Sequence, residues 1–234
     1  MRRETLKQAA PAAPARVRRG YFECRYGQLH LHNAMPPGGG FEEGTALLCL
    51  HDCPGSGRLF TRFLALAGRD RSVYAPDLPG FGESDAPLAA PVLADYAAAL
   101  GDFLDGMRLR RLDVLGVRIG ALIGAELALA RPSQVARLVM VAPAAAAPAE
   151  RAGAELPREQ RWALEAASQY PSRERLARIT QKLLVLKTRD EGADGRLRGL
   201  PAAARVAELE LPGRELLAAA PERLGEAVRD FLRG

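Results

Sequence analysis

The sequence predicts an α/β domain, a mostly parallel sheet with helices on both faces. Three observations carry this: short β-like segments alternate with helical ones from residue 20 onward, the central β-like runs are apolar on both faces, and glycine or proline punctuates nearly every junction. At 234 residues, 48% hydrophobic and 26% charged, the chain is long enough for a full core. The expected organisation is a disordered basic tail over residues 1–19 and one domain over 20–234.

Taken in order, Tyr21–Arg25 and Gln28–His32 flank Tyr26-Gly27 and form a hairpin-like opening. The glycine- and proline-rich stretch from Pro36 to Gly44 is a loop, and Ala46–Leu50 is a strand buried on both faces. A helix follows over about Leu59–Leu66, then a strand at Ser72–Ala75. Leu93, Tyr96, Leu100, Phe103 and Leu104 lie at helical spacing, placing a helix in Pro91–Met107 with proline at its start. Arg111–Leu115 is a strand, Ile119–Ala130 a buried helix and Ala136–Val141 the next strand. Ala142–Ala149 reads as a linker, Leu156–Ile179 as two modest helices, and Lys182–Leu186 as a strand. A short helical segment near Leu200–Ala204, a strand at Val206–Leu211 and a helix at Pro221–Leu232 complete the order. About six parallel strands, led by an antiparallel one or two, are expected.

Charge and cysteine usage narrow the function. The net charge of +5 and pI near 9.4 are spread over arginines mixed with acids, which indicates a solvated surface rather than a nucleic-acid footprint. No apolar run approaches a membrane span, so neither nucleic acid nor membrane is an expected partner. Arg2, Arg3, Leu6 and Lys7 resemble a twin-arginine export pattern, but Gln8 to Arg19 lacks the apolar stretch such a signal requires. Cys24, Cys49 and Cys53 show no CxxC spacing and read as free thiols of a reducing, cytoplasmic setting. His30 and His32 alternate on one strand face; with no third ligand evident they are expected to be exposed, with no metal and no cofactor.

Three motifs carry a resemblance. Leu48-Cys49-Leu50-His51-Asp52-Cys53-Pro54-Gly55-Ser56 resembles the His-Gly-x-Pro oxyanion loop of α/β-hydrolases, with Asp52 in place of glycine. Asp77-Leu78-Pro79-Gly80-Phe81-Gly82-Glu83-Ser84 is similar to the Asp-x-x-Gly-x-Gly-x-Ser turn of the same family, a long and specific match. Leu112 to Gly120 resembles the strand, nucleophile elbow and helix of Gly-x-Ser-x-Gly, with Gly116 and Gly120 kept and Arg118 at the nucleophile position. The resemblance spans essentially residues 20–234 and implies an α/β-hydrolase fold with a short or absent cap, esterase- or epoxide-hydrolase-like. It also implies oxyanion-loop amides at Cys53 and Ile119, an acid at Asp190 and a histidine position occupied by Arg214.

Those occupants set the functional expectation. A guanidinium stays protonated and has no lone pair for attack, so Arg118 cannot replace serine. The only histidines are His30, His32 and His51, so none follows the elbow to act as general base. The triad is therefore degraded, and a non-catalytic homologue keeping a small-molecule pocket or an interaction surface is expected. Arg118 and Arg214, at a helix N-terminus and only partly offset by Asp190, suggest an anion site. The opposing reading is drift, with Arg118 directed to solvent. A Cys53 thiol assisted by His51 is the remaining chemical rescue, disfavoured because a catalytic thiol needs a base aimed at its sulfur. The alternative function is an active hydrolase of small esters or amides using a non-standard group. Trp162, Leu164 and Tyr170 are expected to cover the pocket. Oligomeric state is not legible.

Overall fold

The structure is a computed structural model that describes residues 13–37, 45–143, 156–189, 199–211 and 213–233. Its strands are β1 Arg18–Cys24, β2 Gly27–Ala34, β3 Ala46–Leu50, β4 Val73–Pro76, β5 Leu112–Val117, β6 Val135–Val141, β7 Lys182–Thr188 and β8 Arg205–Leu209. They form one sheet in the order β1-β2-β4-β3-β5-β6-β7-β8. β1 and β2 pair antiparallel, β2 meets β4 antiparallel, and the six strands from β4 to β8 run parallel.

The helices are α1 Thr61–Ala67, preceded by a 3-10 turn at Gly57–Phe60, α2 Leu93–Gly106, α3 Ile119–Ala130, α4 Arg158–Ser168, α5 Ser172–Leu176, α6 Gly213–Ala218 and α7 Pro221–Arg233. Period-two alternation divides the core. Leu112, Val114, Leu138 and Met140 pack with Tyr96, Leu100 and Phe103 of α2 and with α3. Leu115, Val117, Val139 and Val141 pack on the other face with Phe63 of α1, Leu216 of α6 and Leu224, Val228 and Phe231 of α7. The central strands thus bury both faces, as the unbroken apolar run of β3 requires, while Asp113, the acid of β5, is buried against Arg71 and Arg137. Among the described residues no helix is long and apolar enough to cross a membrane.

Three expectations change. The chain joins the fold before residue 20: β1 starts at Arg18 opposite Asn33, and the buried Ala15 donates its N–H to the Ala65 carbonyl at 2.8 Å. β2 runs to Ala34, which gives the preceding residues a partner strand. Residues 1–12 of the expected tail, and 144–149 of the expected linker, lie outside the described residues. The segment at Leu200–Ala204 is a turn rather than a helix, closed by Ala204 N–H to Pro201 O at 2.9 Å. Its alanines are too few to repay helix nucleation. α6, which the expected order of elements lacks, forms where Leu216 and Leu217 reach the core.

Candidate functional site

The site is built where β3 and β5 end beside one another, Leu50 pairing with Gly116. From β5 the chain turns at Arg118 into α3, the strand-to-helix elbow expected from the sequence. Arg118 has φ 53° and ψ −111°, a conformation L-residues rarely hold, and its N–H is fixed to the Val141 carbonyl at 2.8 Å. The flanking glycines are required by contact. A Cβ on Gly116 would lie 2.3 Å from the Gly120 carbonyl oxygen, and one on Gly120 would lie 2.3 Å from that of Leu50. α3 can therefore press directly onto β5 and the end of β3.

The Arg118 side chain turns inward, only 5% of the residue being exposed. Its Nε lies 3.1 Å from Oδ2 of the buried Asp52. The arginine expected at the nucleophile position and the acid expected in the oxyanion loop thus form an ion pair where the ends of β3 and β5 meet α3. Arg118 directed to solvent, one of the two sequence readings, is not what the chain adopts. The partner anticipated for the arginines, Asp190, lies outside the described residues. Arg214 falls on the first turn of α6, and its side chain is likewise outside the description.

His51 is wholly buried and spends both ring nitrogens on the backbone. The Leu78 N–H donates to Nε2 at 2.9 Å, so Nδ1 carries the proton and donates to the Asp52 carbonyl at 2.7 Å. Burial lowers the pKa of His51, which keeps the ring neutral. Cys53 is buried near α4, its Sγ 3.7 Å from the Gln160 carbonyl, and burial pushes its thiol up to about 12. A high thiol pKa and a fully committed histidine make a poor nucleophile and base. Ile119, whose amide is the other expected oxyanion-loop position, is the buried first residue of α3.

The Asp77 turn behaves as a tie. Asp77 Oδ1 accepts from Gly57 N–H at 2.6 Å, Oδ2 accepts from Glu83 N–H at 2.9 Å, and the Asp77 carbonyl accepts from Ser84 Oγ at 2.8 Å. Gly82, at φ +56°, leaves space that a Cβ would take 2.0 Å from Asp77 Oδ2. α4 and α5 lie against α3, with Leu164 and Tyr170 packed on the α2–α3 core. Trp162 is half-buried beneath the Arg158 guanidinium, 4.8 Å from its ring centre.

Two further features escaped the sequence. His30 and His32, expected to be exposed, are buried, at 1% and 6% exposure, because the 3-10 turn and α1 pack beneath β2. Glu126 is the charged residue on the otherwise apolar buried face of α3, and it accepts from Tyr170 OH and Arg175 Nε, each at 2.7 Å. A lone acid inside the Ala/Leu helix was the available signal.

Comparison with known proteins agrees with this fold. A family profile described as alpha/beta hydrolase fold matches residues 45–186. The lipase LipV of Mycobacterium tuberculosis is 36% identical over 119 residues, covering 50% of this chain and 42% of the lipase. A rat 1-acylglycerol-3-phosphate O-acyltransferase, ABHD5, is 32% identical over 103 residues, covering 42% of this chain and 29% of that protein. The matched segment thus spans less than half of either curated relative. Among solved structures, the enol-lactonase of Burkholderia xenovorans superposes with a TM-score of 0.77 at 17% identity, covering 92% of this chain and all of that one.

Proposed function

Since the chain belongs to the alpha/beta hydrolase fold family, we propose that it is a non-catalytic member whose nucleophile centre is filled by the Arg118 and Asp52 ion pair. It acts by binding a small molecule or by presenting an interaction surface. The observation that carries this is the 3.1 Å contact of Arg118 Nε with Asp52 Oδ2, both side chains buried. An arginine donates hydrogen bonds and cannot attack a carbonyl, and the group where a serine hydroxyl would stand is already engaged. His51, held at both nitrogens, offers no base to Cys53.

The ligand class that suits the site is a small carboxylate or phosphate. Arg118 stands at the N-terminus of α3, where backbone amides and the helix dipole favour negative charge. Such a ligand would have to replace Asp52 as the partner of Arg118, so Asp52 is the built-in competitor.

The test is hydrolysis of a p-nitrophenyl ester panel together with labelling by a fluorophosphonate. Wild type is expected to turn over esters no faster than Arg118→Ala and to remain unlabelled. Robust wild-type turnover abolished by changing Cys53 or His51 would overturn the reading in favour of an active hydrolase with a non-standard group. The combination Asp52→Gly, Arg118→Ser and Arg214→His restores the motif residues and is expected to gain labelling that wild type lacks.

A further inference from the structure

On the far side of the Asp77 turn, β1, β2 and the end of β4 bring together groups that the proposed function leaves unused. Tyr21 lies opposite His30 and Arg19 opposite His32 in the β1–β2 register, and the His30 carbonyl accepts the Asp77 N–H at 2.9 Å. His30 and His32, two residues apart on a strand, direct their rings to the same face, with centroids 4.9 Å apart and planes nearly perpendicular. One donor atom from each of His30, His32 and Asp77 lies within 4.8 Å of the other two.

The hydrogen bonds divide the roles. Asp77 is occupied on both oxygens, by Gly57 N–H on Oδ1 and by Glu83 N–H and the His30 ring on Oδ2. His30 donates through Nδ1 at 2.9 Å, which fixes its ring and, in the neutral form, turns the Nε2 lone pair away from Asp77. A carboxylate that orients an imidazole through its second nitrogen is the usual support for a metal-bound histidine. His30 Nε2 and His32 Nδ1 are both buried, and neither has a hydrogen-bond partner among the described residues. Two buried nitrogens on neighbouring rings left without a hydrogen bond are costly unless something binds them.

We propose that His30 Nε2, His32 Nδ1 and the Glu83 carboxylate form a site for a divalent transition-metal ion of the zinc class, with Asp77 as the residue that orients His30. Glu83 supplies the anionic ligand: its Oε2 lies 4.0 Å from His30 Nε2. At 43% side-chain exposure it has freedom to move in, exchanging its present 2.6 Å hydrogen bond from Tyr21 OH for the ion. Tyr21, its ring tilted 52° to that of His30 at 5.0 Å between centroids and half-exposed, and Glu83 together mark the way in from solvent. Arg19 and Arg58 also act on His32 and offset the two acids, so selection falls to donor chemistry rather than net charge. Two imidazoles and one carboxylate, completed by water, suit zinc and its spectroscopic substitute cobalt(II) rather than calcium or magnesium. The ion would clip the β1–β2 hairpin to the Asp77 turn.

The experiment uses the full chain without an affinity tag, stripped with chelator, then titrated with Zn²⁺ by calorimetry and with Co²⁺ by visible absorption. One equivalent per chain is expected, with nitrogen/oxygen-type cobalt bands and a melting temperature raised by zinc. Glu83→Gln, a change at a solvent-facing side chain, and His32→Phe, which keeps the buried volume filled, should each weaken zinc binding by at least about 10- to 100-fold, the loss that an outer-shell partner alone brings. Absence of stoichiometric uptake at micromolar metal would overturn the proposal. So would uptake undiminished in Glu83→Gln, or cobalt bands of thiolate type, which would place the ion at a cysteine.

Discussion

Arg118 Nε and Asp52 Oδ2 lie 3.1 Å apart, and they occupy the two positions at which the elbow and the oxyanion loop depart from their motifs. Either change alone would be awkward: an arginine turned into the site would bury a charge, and an acid in the oxyanion loop would repel the oxyanion it should stabilise. Made together, they satisfy each other. The strained backbone at Arg118 persists around this pair, fixed by Gly116, Gly120 and the Val141 carbonyl.

A double-mutant cycle on Asp52→Ala and Arg118→Ala measures that relationship. Each single change leaves a buried charge without this partner and should cost about 3 kcal/mol in urea unfolding. The double variant should lose less than the sum, with a coupling of about 1 to 3 kcal/mol. Additive losses would mean that the two side chains are energetically independent and that the contact is not what holds Arg118 inward.

Glu126 makes a second prediction. Buried on α3, it accepts from Tyr170 OH and from the Arg175 guanidinium, and so ties the α4–α5 segment to the helix that begins at the elbow. Glu126→Ala leaves the hydroxyl and part of the guanidinium without their acceptor. The expected loss is about 2 to 4 kcal/mol, and hydrogen exchange should show residues 158–176 opening while amides of β5 and β6 stay protected. Uniform loss of protection across both regions would show that Glu126 supports the core as a whole rather than this tether.

The sheet was legible because its signals are local and redundant: Ala46–Leu50 and Ile119–Ala130 were read with their observed bounds. The elbow was legible through Gly116 and Gly120, whose spacing is dictated by backbone contact. What the sequence hid were pairings across distance. Nothing local joins Asp52 to Arg118, sixty-six positions apart, or Asp77 to His30, and strand alternation alone could not tell whether His30 and His32 faced water or the 3-10 turn at Gly57–Phe60. Leu200–Ala204 failed for the opposite reason, since helix-forming residues there lack the length and apolar face to fold as one.

The last prediction concerns His51 and pH. Burial lowers its native pKa from the usual value near 6.5, and its two backbone hydrogen bonds require the neutral ring with the proton on Nδ1. Protonation therefore favours the unfolded chain. The stability His51 contributes is complete above the unfolded value and declines as pH falls below it. It is lost once pH passes through the lowered native value, at up to about 1.4 kcal/mol per pH unit in between. Acids held low by partners, such as Asp102 beside Arg25 and Asp105 beside Arg131, add their losses only under more acidic conditions, near and below the ordinary carboxylate range. Just below the usual histidine value the loss stands apart from theirs, and His32, whose pKa burial also lowers, shares it with His51. Nitrogen-15 spectra of the ring should show the Nδ1–H tautomer of His51 persisting in folded protein as pH falls below the usual histidine value, while urea midpoints fall. A ring that protonates near pH 6.5 without loss of stability would mean that the Leu78 amide does not hold Nε2, and that a base is available beside Cys53 after all.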